Sequence, residues 1–168
     1  MTRIMVVDDM AVFREPIAAA LRQRGFETSC AVDGQSAMDV AHRHHPDLIL
    51  LDLAMPKMDG LAFLRARRTD PVLLKSQVIL LTAVADPEHI AEANRLGVRD
   101  YLLKSQFSLD QLMHRIRDCL EGSGGATDRA DCSLIARQDM KEIISQQPRL
   151  DGKANNGATM DQRRDRPT

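Results

Sequence analysis

The sequence predicts an α/β fold built on a doubly wound parallel sheet, and three observations carry that prediction. Short runs that are apolar throughout recur at Ile4–Val7, Leu48–Leu51 and Val78–Leu81. Such runs suit strands covered on both faces, whereas a sheet with one wet face would alternate. Amphipathic stretches with apolar residues at helical spacing lie between them. Five strand–helix units fit within about 120 residues, which implies helices on both sides of one sheet.

Taken in order, Ile4-Met5-Val6-Val7 forms the first strand and stops at Asp8-Asp9. From about Ala11 to Arg24, Val12, Phe13, Ile17, Ala20 and Leu21 recur at helical spacing, and Gly25 closes the segment. Pro16 falls in the early turns of that helix, where a missing N–H costs least. Phe26 to Val32 reads as the second strand, with Asp33-Gly34 as its turn. Gln35 to His44 is helical and stops before Pro46. The third strand, Leu48–Leu51, runs into Asp52, and the loop Met55-Pro56-Lys57-Met58-Asp59-Gly60 leads to a helix from about Leu61 to Arg68. The fourth strand, Val78–Leu81, ends at Thr82. Pro87 to Leu96 form a helix closed by Gly97, and Arg99 to Leu103 a short fifth strand ending at Lys104. Ser108 is placed to N-cap a last helix that runs to about Leu120.

Composition narrows the function classes. The 168 residues carry 23 basic and 24 acidic side chains, so the basic surplus of a nucleic-acid binder is missing. With no Trp, one Tyr and four Phe, a base-stacking platform is not indicated either. No apolar run approaches the roughly 20 residues of a membrane helix, and Ile4–Val7 is too short for a signal peptide. Cys30, Cys119 and Cys132 are odd in number and scattered, so neither a disulfide framework nor a cysteine zinc site is indicated. The expectation is a cytoplasmic, reduced protein. Composition breaks at Glu121-Gly122-Ser123-Gly124-Gly125, dividing a domain over residues 1–122 from a Gly-rich linker and mostly disordered tail over 123–168. The tail holds 8 basic and 7 acidic side chains, leaving −2 for residues 1–122. One short helix is plausible over about 132–147, where Ala136, Met140, Ile143 and Ile144 share a face. The tail lacks the length and basic charge of a DNA-binding output domain.

In a doubly wound sheet, ligands bind at the carboxyl ends of the strands. Here four strand ends carry polar groups, Asp8/Asp9, Asp52, Thr82 and Lys104, and the topology should bring them to one edge. Three carboxylates together repel, and a hard divalent cation such as Mg²⁺ resolves the repulsion with oxygen ligands. One carboxylate can then act as nucleophile toward a phosphoryl group. Phosphoryl transfer needs positive charge and donors on the equatorial oxygens, which Lys104 and the Thr82 hydroxyl supply.

With these residues in place, the chain resembles the receiver domain of bacterial two-component response regulators from residue 3 to about 120. The resemblance rests on Asp8-Asp9 after the first strand, Asp52 after the third and Met55-Pro56-x-Met58-Asp59-Gly60 beyond it. It rests equally on Thr82-Ala83 after the fourth strand and Tyr101-Leu102-Leu103-Lys104 at the fifth. The separations, 30 residues from Asp52 to Thr82 and 22 from Thr82 to Lys104, also look like the family's. Each feature alone is weak; all five in order are specific. The resemblance implies a flavodoxin-like (CheY-like) sheet in strand order 2-1-3-4-5. It implies Asp52 as phospho-acceptor, with Asp8, Asp9, the Asp52 carboxylate and the Ala54 backbone carbonyl holding Mg²⁺. Lys104 would pair with the phosphoryl oxygens, Thr82 would swing onto them, and Tyr101 would follow, altering the surface of the fourth helix, fifth strand and fifth helix. The implied partners are a sensor histidine kinase or histidine phosphotransfer protein and a downstream protein target. A phosphorylation-dependent homodimer is compatible; direct nucleic-acid binding, a membrane and a metabolic substrate are not implied.

Two departures from the family pattern involve three positions. Ser105 stands where many receivers carry proline; a cis bond there would cost ~3 kcal/mol without proline, so a different loop path beside Lys104 is expected. Ala54 and Val84, two beyond the acceptor and the threonine, cannot orient a hydrolytic water, so the phosphoryl group should be long-lived. Competing readings are an aspartyl phosphatase and a pseudo-receiver that never turns over phosphate. The first would carry a second acid where Ala54 stands, and no Gly-rich phosphate loop appears; Ser105 keeps the second open. His42, His44 and His45 read as helix-end side chains suited to the dipole rather than a metal site. Arg65, Arg67 and Arg68 read as a solvated helix face, Gly60 as a close backbone approach, and Tyr101 without its companions as a half-buried strand aromatic.

Overall fold

The computed structural model describes residues 1–83, 86–98 and 100–122. The Gly-rich linker and tail over 123–168, the helix expected over 132–147, Val84, Arg99 and Cys132 lie outside the described residues. Strands β1 (Arg3–Val7), β2 (Glu27–Ala31), β3 (Leu48–Leu51), β4 (Gln77–Thr82) and β5 (Asp100–Leu103) form one sheet in order β2-β1-β3-β4-β5. Every neighbouring pair is parallel. Helices α1 (Ala11–Gln23), α2 (Gly34–His44), α3 (Gly60–Arg67), α4 (Pro87–Arg95) and α5 (Leu109–Glu121) join them, with a 3₁₀ turn at Leu73–Lys75. The predicted doubly wound fold is the one observed.

The two-residue period of a strand sends alternate side chains to opposite faces. Ile4 and Val6 of β1, Leu48 and Leu50 of β3, and Ile79 and Leu81 of β4 pack with Ile17, Ala18 and Leu21 of α1 and Leu112, Met113 and Ile116 of α5. Met5, Val7, Ile49, Leu51, Val78 and Leu80 face the other way, onto α2, α3 and α4. Both faces are thus dry, which accounts for the uninterrupted apolar runs. β2, with sequence Glu-Thr-Ser-Cys-Ala, is the exception: it is an edge strand paired only to β1 and is mostly half-exposed.

Side-chain caps begin most helices. Asp33 accepts from the Ser36 amide at 2.7 Å while its own amide donates to Ser36 Oγ, a capping box that opens α2. Asp59 caps α3, Asp86 caps α4 with Pro87 in its first turn, and Ser108 caps α5 in a box with Gln111. α1 starts on Met10 without a side-chain bond, and Pro16 lies inside the helix rather than at its start. Two expectations are corrected. Val12 does not join the apolar face of α1 and is 68% exposed, because Ile17, Ala18, Ala20 and Leu21 bury the stripe. Arg67 is not solvated: it is 6% exposed, and its guanidinium donates to the carbonyls of Leu73 at 3.0 Å and Ser76 at 2.5 Å. A long side chain at the end of α3 satisfies the backbone of the following connection.

Candidate functional site

Parallel register brings the chemistry to one edge. Val7 lies beside Leu51, Leu51 beside Leu80, and Thr82 beside Leu103, so the residues just beyond these strands meet. The ladder extends by one bond at each end: the Asp8 amide donates to the Ala31 carbonyl at 3.1 Å, and the Asp52 amide to the Val7 carbonyl at 2.9 Å. The Lys104 amide donates to the Thr82 carbonyl at 2.8 Å. Sheet geometry therefore holds the three backbones rigidly.

Lys104 Nζ stands 2.6 Å from Asp52 Oδ2 and 2.7 Å from Asp8 Oδ2. Asp8, Asp52, Thr82 and Lys104 are all buried, while Asp9 is exposed at the mouth. One carboxylate oxygen each of Asp8, Asp9 and Asp52 lies within 4.8 Å of the others. Burial, with a smaller push from the Asp8 charge, raises the Asp52 carboxyl above the ordinary aspartate value even though Lys104 opposes it. Burial alone would lower the Lys104 ammonium, but its hydrogen bonds to Asp52 and Asp8 leave it above the ordinary lysine value. Three carboxylates against one ammonium leave two negative charges to be balanced, which is the charge of one divalent cation. The oxygen donor set fits a hard divalent cation such as Mg²⁺, and Asp8, Asp9 and Asp52 are the carboxylates that could hold it.

The surrounding residues fix this arrangement. Asp8 Oδ1 accepts from the Met10 amide at 2.9 Å, and Arg14 donates to the Asp8 carbonyl at 2.9 Å. The Phe13 ring centroid lies 4.9 Å from Lys104 Nζ. Gly60 supports Asp52 from behind: its amide donates to the Leu53 carbonyl at 3.0 Å, and a Cβ there would collide with the Asp52 carbonyl oxygen and Leu53 Cα. Across the loop, Lys57 adopts a left-handed φ of 63° and its Nζ lies 2.6 Å from Asp33 Oδ2. Ala54 and Thr82 line a cleft of about 300 Å³ whose far wall includes Asp86 and His89 of the α4 start. Tyr101 is buried in the same cluster as Ile90, Ala93 and Val98.

The departure at Ser105 does not displace Lys104. Among the described residues there is no cis peptide bond, and the amides of Gln106 and Phe107 fold back onto the Leu103 carbonyl at 3.0 and 3.1 Å. All the strand-end residues singled out from sequence meet at one edge, with Tyr101 set deeper in the core. Reading the sequence alone did not find Phe13 against Lys104, Arg14 on the acidic backbone or the Asp33–Lys57 pair. For Phe13 the available signal was an aromatic in a chain poor in them, one helical turn beyond Asp9.

The five-stranded doubly wound domain thus gathers an acidic cluster, closed by one lysine, at the carboxyl edge of its sheet. The chain matches the family model of the response regulator receiver domain over residues 4–117. It is 41% identical over 110 residues to the regulatory protein AtoC of Escherichia coli, covering 66% of this chain and 23% of that protein. It is 36% identical over 115 residues to the DNA-binding response regulator MtrA of Mycobacterium leprae, covering 68% of this chain and 49% of that one. Among solved structures, the chemotaxis response regulator CheY4 of Vibrio cholerae superposes with a TM-score of 0.64 at 28% identity, over 70% of this chain and 97% of that one. The chain belongs to the response regulator receiver family, and its described part is a CheY-like receiver domain of the two-component type. It spans between about a quarter and about half the length of these two curated relatives.

Proposed function

We propose that this receiver is a phosphorylation-controlled switch of a two-component phosphorelay, with Asp52 as the acceptor. The observation that carries the reading is the Asp52 carboxylate, buried and 2.6 Å from the Lys104 ammonium within a cluster that also holds Asp8 and Asp9. An oxygen of Asp52 forms a new bond to phosphorus as the P–N bond of a phosphohistidine breaks, and the released imidazole takes up a proton. The donor is a sensor histidine kinase or a histidine phosphotransfer protein. Asp8, Asp9, Asp52 and the Ala54 carbonyl would hold Mg²⁺, which when bound would supply positive charge toward the phosphoryl oxygens. Lys104 orients those oxygens from the buried side, and Thr82, whose carbonyl accepts the Lys104 amide at 2.8 Å, supplies its hydroxyl from the end of β4.

The acyl phosphate then draws Thr82, and Tyr101 repacks against α4 and β5. Output passes through the α4–β5–α5 face to a protein target, or to a second receiver in a phosphorylation-dependent homodimer. A net charge of −2 over residues 1–122 argues against nucleic-acid binding by the receiver itself. No metabolic substrate is required; the chemistry is acceptance of the phosphoryl group and its slow loss, in a cytoplasmic setting. The pseudo-receiver alternative drew on Ser105 and loses that support, since Lys104 reaches Asp52.

Borohydride reduction of the phosphorylated chain, followed by peptide mass mapping, tests the assignment. It should convert residue 52 to homoserine; reduction at another aspartate, or at none after phosphotransfer, overturns it.

A further inference from the structure

We propose that Phe13 is a positioning residue for Lys104, holding the ammonium in the cleft through its ring face during phosphoryl transfer; this deepens the acceptor reading given above. The chain has four Phe and one Tyr. Phe63 and Tyr101 are buried in the core, and Phe26 and Phe107 pack against it. Phe13 is neither part of a core cluster nor among the residues packed on one, and it stays half-buried at the rim of the site. Its amide donates to the Met10 carbonyl at 3.1 Å, so the first turn of α1, which continues directly from Asp8-Asp9, sets the ring's position.

The ammonium that faces this ring has a side chain only 4% exposed, with carboxylates on Asp52 and Asp8. A cation–π contact gains strength as the cation loses water, and it tolerates small lateral shifts of the cation. That tolerance matters because Lys104 must turn from two carboxylates toward the incoming phosphoryl oxygens. Ion pairs alone would hold the ammonium back, whereas the ring keeps it desolvated and lets it move. Leucine at this position would fill space without attracting the charge.

The test replaces Phe13 with Leu, with Trp and with singly to triply ring-fluorinated phenylalanines. Rates of phosphorylation by phosphoramidate with Mg²⁺ are read by intact mass. Phe13→Leu should slow transfer roughly five- to thirtyfold, Phe13→Trp should restore it, and each added fluorine should lower the logarithm of the rate by a similar step. The fluorinated rings are nearly isosteric with phenylalanine, so they keep the test sound if Phe13→Leu folds poorly. Rates that follow side-chain volume, with a flat fluorine series, overturn the proposal. A second readout is the Lys104 ammonium ¹⁵N resonance, expected sharp in the wild type and broadened by solvent exchange in Phe13→Leu. If the wild type takes no phosphoryl group from phosphoramidate or from phosphorylated histidine kinases, the acceptor reading fails on its own. The resonance then decides for Phe13: broadening supports the positioning role, and an unchanged line overturns it.

Discussion

Lys104 and Asp52 lie 52 positions apart in the chain, yet their side chains approach to 2.6 Å because β3, β4 and β5 are neighbours in register. Among the described residues the ammonium is the one positive group in contact with both buried carboxylates, so its removal should be costly to chemistry. Lys104→Met is expected to lower the rate of phosphorylation by a small phosphodonor about 10²-fold, with circular dichroism confirming the fold. At the neighbouring wall, the Ala54 methyl offers no hydrogen bond to an attacking water. The acyl phosphate of the purified protein should therefore outlast minutes when followed by intact mass, and a half-life of seconds would contradict this. Residue types at strand ends were legible because phosphate chemistry demands carboxylates, an ammonium and a hydroxyl. Phe13 was not, since helical spacing assigned it to the core, and whether a ring meets an ammonium depends on a fold-level approach.

Helices and strands here carry their own start signals, which is why most element positions could be read. Ser108 and Pro87 mark the beginnings of α5 and α4 as expected. Asp33, read only as a turn residue, is the N-cap of α2, and its carboxyl is also paired with Lys57. The Lys57 hydrogen bond, followed by that from the Ser36 amide, holds this carboxyl down to about 2. A depressed value means that the stabilisation is fully present above the unfolded value near 3.8 and is lost as pH falls through about 2. In thermal melts, Asp33→Asn should be less stable than wild type at neutral pH, and the gap should narrow between pH 4 and pH 2, both values approximate. A gap that stays constant through that window would contradict the account. Arg67 shows the limit of local reading: a basic residue on a short helix signals solvent, and only the path of the chain past Leu73 and Ser76 puts carbonyls around it.

At the scale of the whole molecule, one edge of the sheet gathers charge that the rest of the fold does not balance. Mg²⁺ should therefore stabilise the native chain. At a hundredfold excess over its Kd the gain is about 2.7 kcal/mol, seen as a rise of several degrees in Tm. Asp9→Ala, altered at the exposed mouth, should lose most of that rise, and no Mg²⁺-dependent shift in the wild type would contradict the metal assignment. The topology was legible because uninterrupted apolar runs imply a covered parallel sheet, and four polar strand ends together with the Met55–Gly60 loop, in order, imply its family. The edge strand β2, read over Phe26–Val32, is observed over Glu27–Ala31, whereas the 3₁₀ turn at Leu73–Lys75 was not read, since three residues are too few to show a period. The measurement that bears most directly on the central claim is the intact mass of the chain after incubation with Mg²⁺ and a small phosphodonor, wild type beside Asp52→Asn. The account predicts the gain of one phosphoryl group that requires Mg²⁺ and disappears in the variant. A gain that persists in Asp52→Asn, or none in a folded, Mg²⁺-loaded wild type offered phosphorylated histidine kinases as well, would contradict it.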